Sequence, residues 1–167
     1  MCFTSDSIWK LLFLHIEKLN MKKLIIILIS VISMYSASAQ KYTDQYIKDA
    51  SKVAESWLNN INNQQYENAY NLCSKEYKVK YSQEIWTILI GQLMHEFGGL
   101  ESRKAKEKKF QSEVEGMEDG FYVFIDYISN YTNTMNHNEQ VILKQNDKTN
   151  WEVLSFDYIW QNRSSEE

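Results

Sequence analysis

From residue 43 onward the apolar positions change period once, from a helical spacing to strict alternation. Ile47, Ala50, Val53, Ala54, Trp57, Leu58 and Ile61 recur every three or four residues, which gathers them on one side of a helix with 3.6 residues per turn. The spacing predicts a first helix over about 43–60. Asn59, Asn60, Asn62 and Asn63 then form a polar turn, and Tyr66, Ala69, Tyr70 and Cys73 make the stripe of a short second helix. Ser82 is an N-cap for a third. Its Ile85, Ile88, Leu89, Gln92, Leu93 and Phe97 are expected to face inward, and Gly98-Gly99 can close it in the left-handed conformation.

Past Gly120 the period is two. Phe121, Val123, Ile125 and Tyr127 form one wholly apolar face, and Tyr122, Phe124, Asp126 and Ile128 a mixed one, because successive strand side chains point to opposite sides. A second run, 139–145, carries Val141, Ile142 and Leu143. A third, 151–160, sets Leu154, Phe156, Tyr158 and Trp160 against Trp151, Val153, Ser155 and Asp157. Polar links over 132–138 and 146–150 imply an antiparallel meander. The polar segment between Gly99 and Gly116 reads as a first strand, with Phe110 and Val114 inward. Helices first and strands afterwards give an α+β class: N-terminal helices packed on a curved antiparallel sheet of about four strands.

The start of the chain changes the compartment. Lys22 and Lys23 precede a short apolar run, Leu24 to Met34, and Ala37-Ser38-Ala39 forms a small-residue cleavage site before Gln40. This pattern is that of a secretory signal peptide, and its apolar run is short of the roughly 20 residues a membrane span needs. Residues 1–20 contain Asp6 and Glu17, which do not suit the positive leader of a signal peptide, so this segment reads as an upstream extension. The expected organisation is an extension over 1–20, a signal peptide over 21–39 and one domain over 40–167, periplasmic or secreted and without a membrane span. That domain carries 14 basic and 20 acidic groups, a net charge of −6, which argues against nucleic acid as a partner. Cys73 is then the sole cysteine, so no disulfide forms within one chain.

Candidate chemistry adds little. His95-Glu96 opens like a zinc-protease helix, but Gly99 stands where the second histidine belongs, so no metal is expected. His137 falls in a link and reads as solvated. Asp126 and Asp157 fall opposite apolar faces and read as outward. Arg103, Lys104, Lys106, Lys108 and Lys109 read as a solvated edge strand that deters sheet aggregation. No catalytic residue and no cofactor can be named.

The stretches AESWLNNINNQQYENAYNLCSKEYK, GGLESRK, EDGFYVFIDYIS and WEVLSFDYI resemble a small secreted bacterial family known as domain of unknown function 4019, a relative of the cone-shaped nuclear-transport-factor-two-like (cystatin-like) fold. The resemblance implies the fold and an extracytoplasmic site, and no reaction. Two functions stay open. One is a non-enzymatic module binding a small apolar ligand or a protein, with a homodimer or partner docked on the outer sheet face through Tyr122, Phe124, Ile128 and Trp151. The other is a small enzyme of the ketosteroid-isomerase or dehydratase type, with a pocket under the helices lined by Tyr70, Trp86 and Tyr127 and holding an inward carboxylate.

Overall fold

The computed structural model describes residues 21–162; the segment read as an upstream extension lies outside them. The chain divides into two compact units, Met1–Tyr42 and Thr43–Glu167. Helix α1 spans Met21–Asn62. Among the described residues no helix is long and apolar enough to cross a membrane. In the second unit α1 is followed by α2 (Tyr66–Asn71), α3 (Lys75–Lys80) and α4 (Gln83–Phe97), then by β1 (Leu100–Gln111), β2 (Tyr122–Tyr131), β3 (Thr134–Gln145) and β4 (Trp151–Asn162). The strands form a curved, open, antiparallel sheet in the order β1-β2-β3-β4. The α+β class and the meander are therefore as the pattern predicts. Helix α3 is an addition: none of its six residues is buried, so it has no apolar stripe to read. Its cap, Ser74, accepts a hydrogen bond from the Tyr77 amide.

The core lies between α1 and one face of the sheet. Ala50, Ala54, Trp57, Leu58 and Ile61 meet Val123, Ile125 and Tyr127 of β2 and Val141 and Leu143 of β3, all buried. Val123 stands opposite Leu143 and Ile125 opposite Val141, so the two strands present one continuous apolar surface.

Two side-chain assignments differ from the pattern. On α4, Trp86, Ile90 and Phe97 are buried, whereas Ile85, Ile88 and Leu89 are about half exposed, at 55%, 54% and 49%. The helical period puts Trp86, Ile90, Leu93, Met94 and Phe97 on one face and Glu84, Gln92, His95 and Glu96 on the other, so Ile85 and Ile88 are isolated apolar residues on the polar side. The indole of Trp86 takes the inside, donating Nε1–H to the Tyr77 hydroxyl at 2.9 Å and packing 5.6 Å from the Tyr70 ring. On β4, the ladder pairs Ile142 with Ser155 but Leu143 with Val153, leaving Leu154 as an extra residue. This bulge reverses the alternation. Trp151 and Val153 therefore face the core, together with Phe156 beyond the bulge, instead of sharing the outer face with Asp157.

The outer face is correspondingly less apolar than expected. Tyr122 is buried, donating its hydroxyl to the Glu118 carbonyl at 2.7 Å, and Trp151 is buried beside Tyr46. Of the four residues expected to form an interface, only Phe124, half-buried, and Ile128, exposed, remain accessible on that face. Asp126 and Asp157 do point outward. Gln140 stands between them in the ladder and donates to Asp126 at 2.7 Å.

Candidate functional site

Continuing the inner face of the sheet past its apolar rows brings polar residues inward. Alternation from Ile125 carries Tyr127, Ser129 and Tyr131 along β2, and alternation from Val141 carries Glu139 and His137 along β3, with Tyr127 opposite Glu139 and Ser129 opposite His137. On β1, Arg103 stands opposite Ser129. Arg103 Nε donates to Glu139 Oε2 at 2.7 Å and Nη2 to Glu139 Oε1 at 3.3 Å. Ser129 Oγ donates to Oε2 at 2.7 Å and Tyr131 Oη to Oε1 at 2.6 Å, while Arg103 Nη2 also donates to Tyr131 Oη at 2.5 Å. The Glu139 side chain is fully buried and that of Arg103 is 10% exposed. Burial alone would raise the Glu139 carboxyl, but the Arg103 bonds and charge, with Tyr131 and Ser129, outweigh it and hold it below the ordinary carboxylate range.

His137 is fully buried, contrary to the solvated loop expected. The segment 134–138 is strand, and Nε2 of the imidazole lies 2.7 Å from Thr134 Oγ1. Phe97, Tyr131 and Trp160 surround the ring at centroid distances of 4.3, 4.7 and 6.1 Å. Its Nδ1 has no hydrogen-bond partner, and burial lowers its affinity for a proton.

A cleft of about 430 Å³ opens between α1 and β1 beside this cluster. Glu55, Leu58 and Asn59 line it from α1, where spacings of three and four put them on one face; Arg103 and Ala105 line it from β1, two residues apart. Tyr127 also lines it. The ring is buried, its hydroxyl has no hydrogen-bond partner, and burial, with the nearby Glu55 charge second, pushes its pKa up to about 12. At neutral pH it is therefore a neutral donor and acceptor.

Two further clefts flank α4. One of about 390 Å³ is aromatic, lined by Tyr77, Tyr81, Trp86, Phe156 and Tyr158, with Leu93. The other, of about 570 Å³, lies between the ends of α1 and α4, and Asn62, Tyr66, His95 and Asn133 line it.

The three residues expected to share one pocket are dispersed. Tyr70 packs in the core and donates its hydroxyl to the Tyr81 carbonyl at 2.7 Å; Trp86 walls the aromatic cleft; Tyr127 lines the α1–β1 cleft and alone of the three has a buried polar atom without a partner. The inward carboxylate is Glu139, which the sequence reading did not single out. Its signal was the alternation of Glu139 with Val141 and Leu143. Among the described residues no group of His, Cys, Asp and Glu could hold a metal ion. Cys73 is buried and free, its pKa raised to about 11 by burial. It is thus unsuited to act as a nucleophile.

Curated proteins offer no match to the chain. A family model does match, over residues 53–156, a range that holds the α1–β1 cleft and the Arg103–Glu139 cluster together. By that match the chain belongs to the family described as Protein of unknown function (DUF4019).

Proposed function

We propose that this chain is an exported binding module of the bacterial cell envelope, periplasmic or secreted, which holds a small ligand in the α1–β1 cleft and catalyses no reaction. The observation that carries this reading is Tyr127, whose side chain lines a cleft of about 430 Å³ and whose buried hydroxyl has no intramolecular partner. A buried hydroxyl left unbonded costs about 1–3 kcal/mol, a cost that a ligand filling the cleft would offset. The volume lies in the range of small-molecule sites. Export rests on Lys22-Lys23, the apolar run and Ala37-Ser38-Ala39.

The enzymatic alternative fits the geometry less well. A general acid or base works best with a pKa near the operating pH. Glu139 is instead held low by three partners, and Tyr127 keeps its proton to about 12. Both groups suit binding better than proton transfer.

Calorimetry and thermal-shift measurements with a small-molecule panel test the reading. A ligand that stabilises the native chain and binds at least several-fold more weakly to Tyr127→Phe is expected. Equal binding by Tyr127→Phe and by a cleft-filling Ala105→Trp variant would exclude this cleft as the site. Export is checked by sequencing the N-terminus of the product from cell fractions. Gln40 is expected, in the envelope or medium; an intact leader in the cytoplasm would refute export.

A further inference from the structure

Resting on the α1–β1 cleft as the binding site, we infer that its ligand is a small zwitterion of the amino-acid class, with an amine and a carboxylate a few bonds apart. The helix wall carries one carboxylate, Glu55, and the sheet wall carries the cation Arg103 with Glu101 two residues before it. On the sheet side, the hydrogen bonds of Arg103 use Nε and Nη2, and its Nη1 has no bonded partner among the described residues. The Tyr127 side chain lines the same cleft, its buried hydroxyl without a partner. A guanidinium edge and a phenol O–H are donors, and together they suit a carboxylate, which accepts on both oxygens.

On the helix side stands Glu55. It is exposed, it makes no hydrogen bond or ion pair among the described residues, and its charge is the strongest of those acting on the Tyr127 hydroxyl. An ammonium group is its natural complement. Asn59, one turn along α1, supplies an amide that can serve either group.

Charge separates this class from its neighbours. A simple anion gains Arg103 but meets Glu55 and Glu101, with Glu139 already bonded to the same guanidinium. A simple cation gains Glu55 and Glu101 but meets Arg103 and leaves its Nη1 without an acceptor. Only a molecule carrying both charges is matched at both walls. The remaining lining is aliphatic at Leu58, Leu100 and Ala105, which leaves room for a short apolar side group, and polar at Glu101 and Ser102.

The test uses the processed chain with L-alanine, propionate and propylamine as probes, at matched ionic strength, by calorimetry. L-alanine is expected to bind at least several-fold more tightly than either of the other two. Because Glu55 is exposed on a helix, Glu55→Gln should fold normally. It should weaken alanine by roughly fivefold, the scale of one surface ion pair, and leave propionate no weaker. Tyr127→Phe should weaken alanine and propionate alike. If propionate binds as well as alanine, or Glu55→Gln leaves alanine unchanged, the zwitterion assignment falls while the cleft stands as the site. If alanine binding is unaffected by Tyr127→Phe, or none of the three probes binds at millimolar concentration, both fall.

Discussion

Single residues carry the clearest consequences of a polar inner face. Replacing Glu139 by Gln leaves Arg103 nearly buried without a counter-charge, and removing one partner of a buried ion pair costs about 3–5 kcal/mol. Urea denaturation should show that loss. The double replacement Arg103→Met, Glu139→Leu should recover most of it, since both charges leave together. Tyr127→Phe should do the opposite of most core substitutions: it removes a hydroxyl that has no partner and is expected to stabilise the unliganded protein by about 1 kcal/mol. A destabilised variant would mean that the hydroxyl is bonded in solution. These residues were unevenly legible. Tyr127 followed from alternation with Val123 and Ile125. Arg103 sits in a lysine-rich run that reads as solvent-facing, and nothing in its local sequence marks it as the inward residue. His137 lies in a stretch with no apolar alternation, because its neighbours on the inner face are themselves polar.

At the scale of elements, the helix-then-strand order, the meander and the link over 146–150 were readable from period and turn chemistry, whereas the link expected over 132–138 is strand from Thr134 onward. Which side of an element faces inward was readable only where the other side was polar. On α4 the stray Ile85 and Ile88 obscure an inward face that Trp86, Ile90 and Phe97 mark at helical spacing, and β4 hides a bulge that no periodicity announces. The bulge makes a sharp prediction. Deleting Leu154 restores regular alternation and turns Trp151 and Val153 away from the core, so the variant should lose its cooperative unfolding transition. The end of α4 makes another. Gly98 has φ of +81° and ψ of −160°, and a Cβ there would collide with Thr132 Oγ1, which accepts a hydrogen bond from the Gly99 amide. Gly98→Ala should cost about 1–3 kcal/mol in backbone strain alone, measured as a fall in the denaturation midpoint.

For the molecule as a whole, the buried titratable groups give its stability a definite dependence on pH. The His137 imidazole is lowered in the folded state, so its contribution is complete above the ordinary imidazole value near 6.5 and is lost as pH falls through the folded value. Glu139, also lowered, has its contribution complete above the ordinary carboxylate value of 4.5 and loses it as pH drops through its own folded value. Both act in the same direction. Stability should decline on acidification in two stages, the first below about pH 6.5 and the second below about 4.5, with His137→Phe flattening only the first. A single decline confined to the lower range would show that the imidazole accepts its proton without penalty.

The sheet has two rims, and the chain treats them differently. Along β1 the lysines stand exposed, a familiar deterrent to intermolecular stacking. Along β4, Val153 donates its amide to the Leu72 carbonyl at 2.9 Å and accepts from the Ser74 amide at 2.8 Å, so the joint between α2 and α3 acts as a two-residue splint, aligned parallel to the strand. A protease nick or an inserted residue at Cys73 would unfasten that splint and bare the Val153 backbone, converting a protected border into a template for fibril growth.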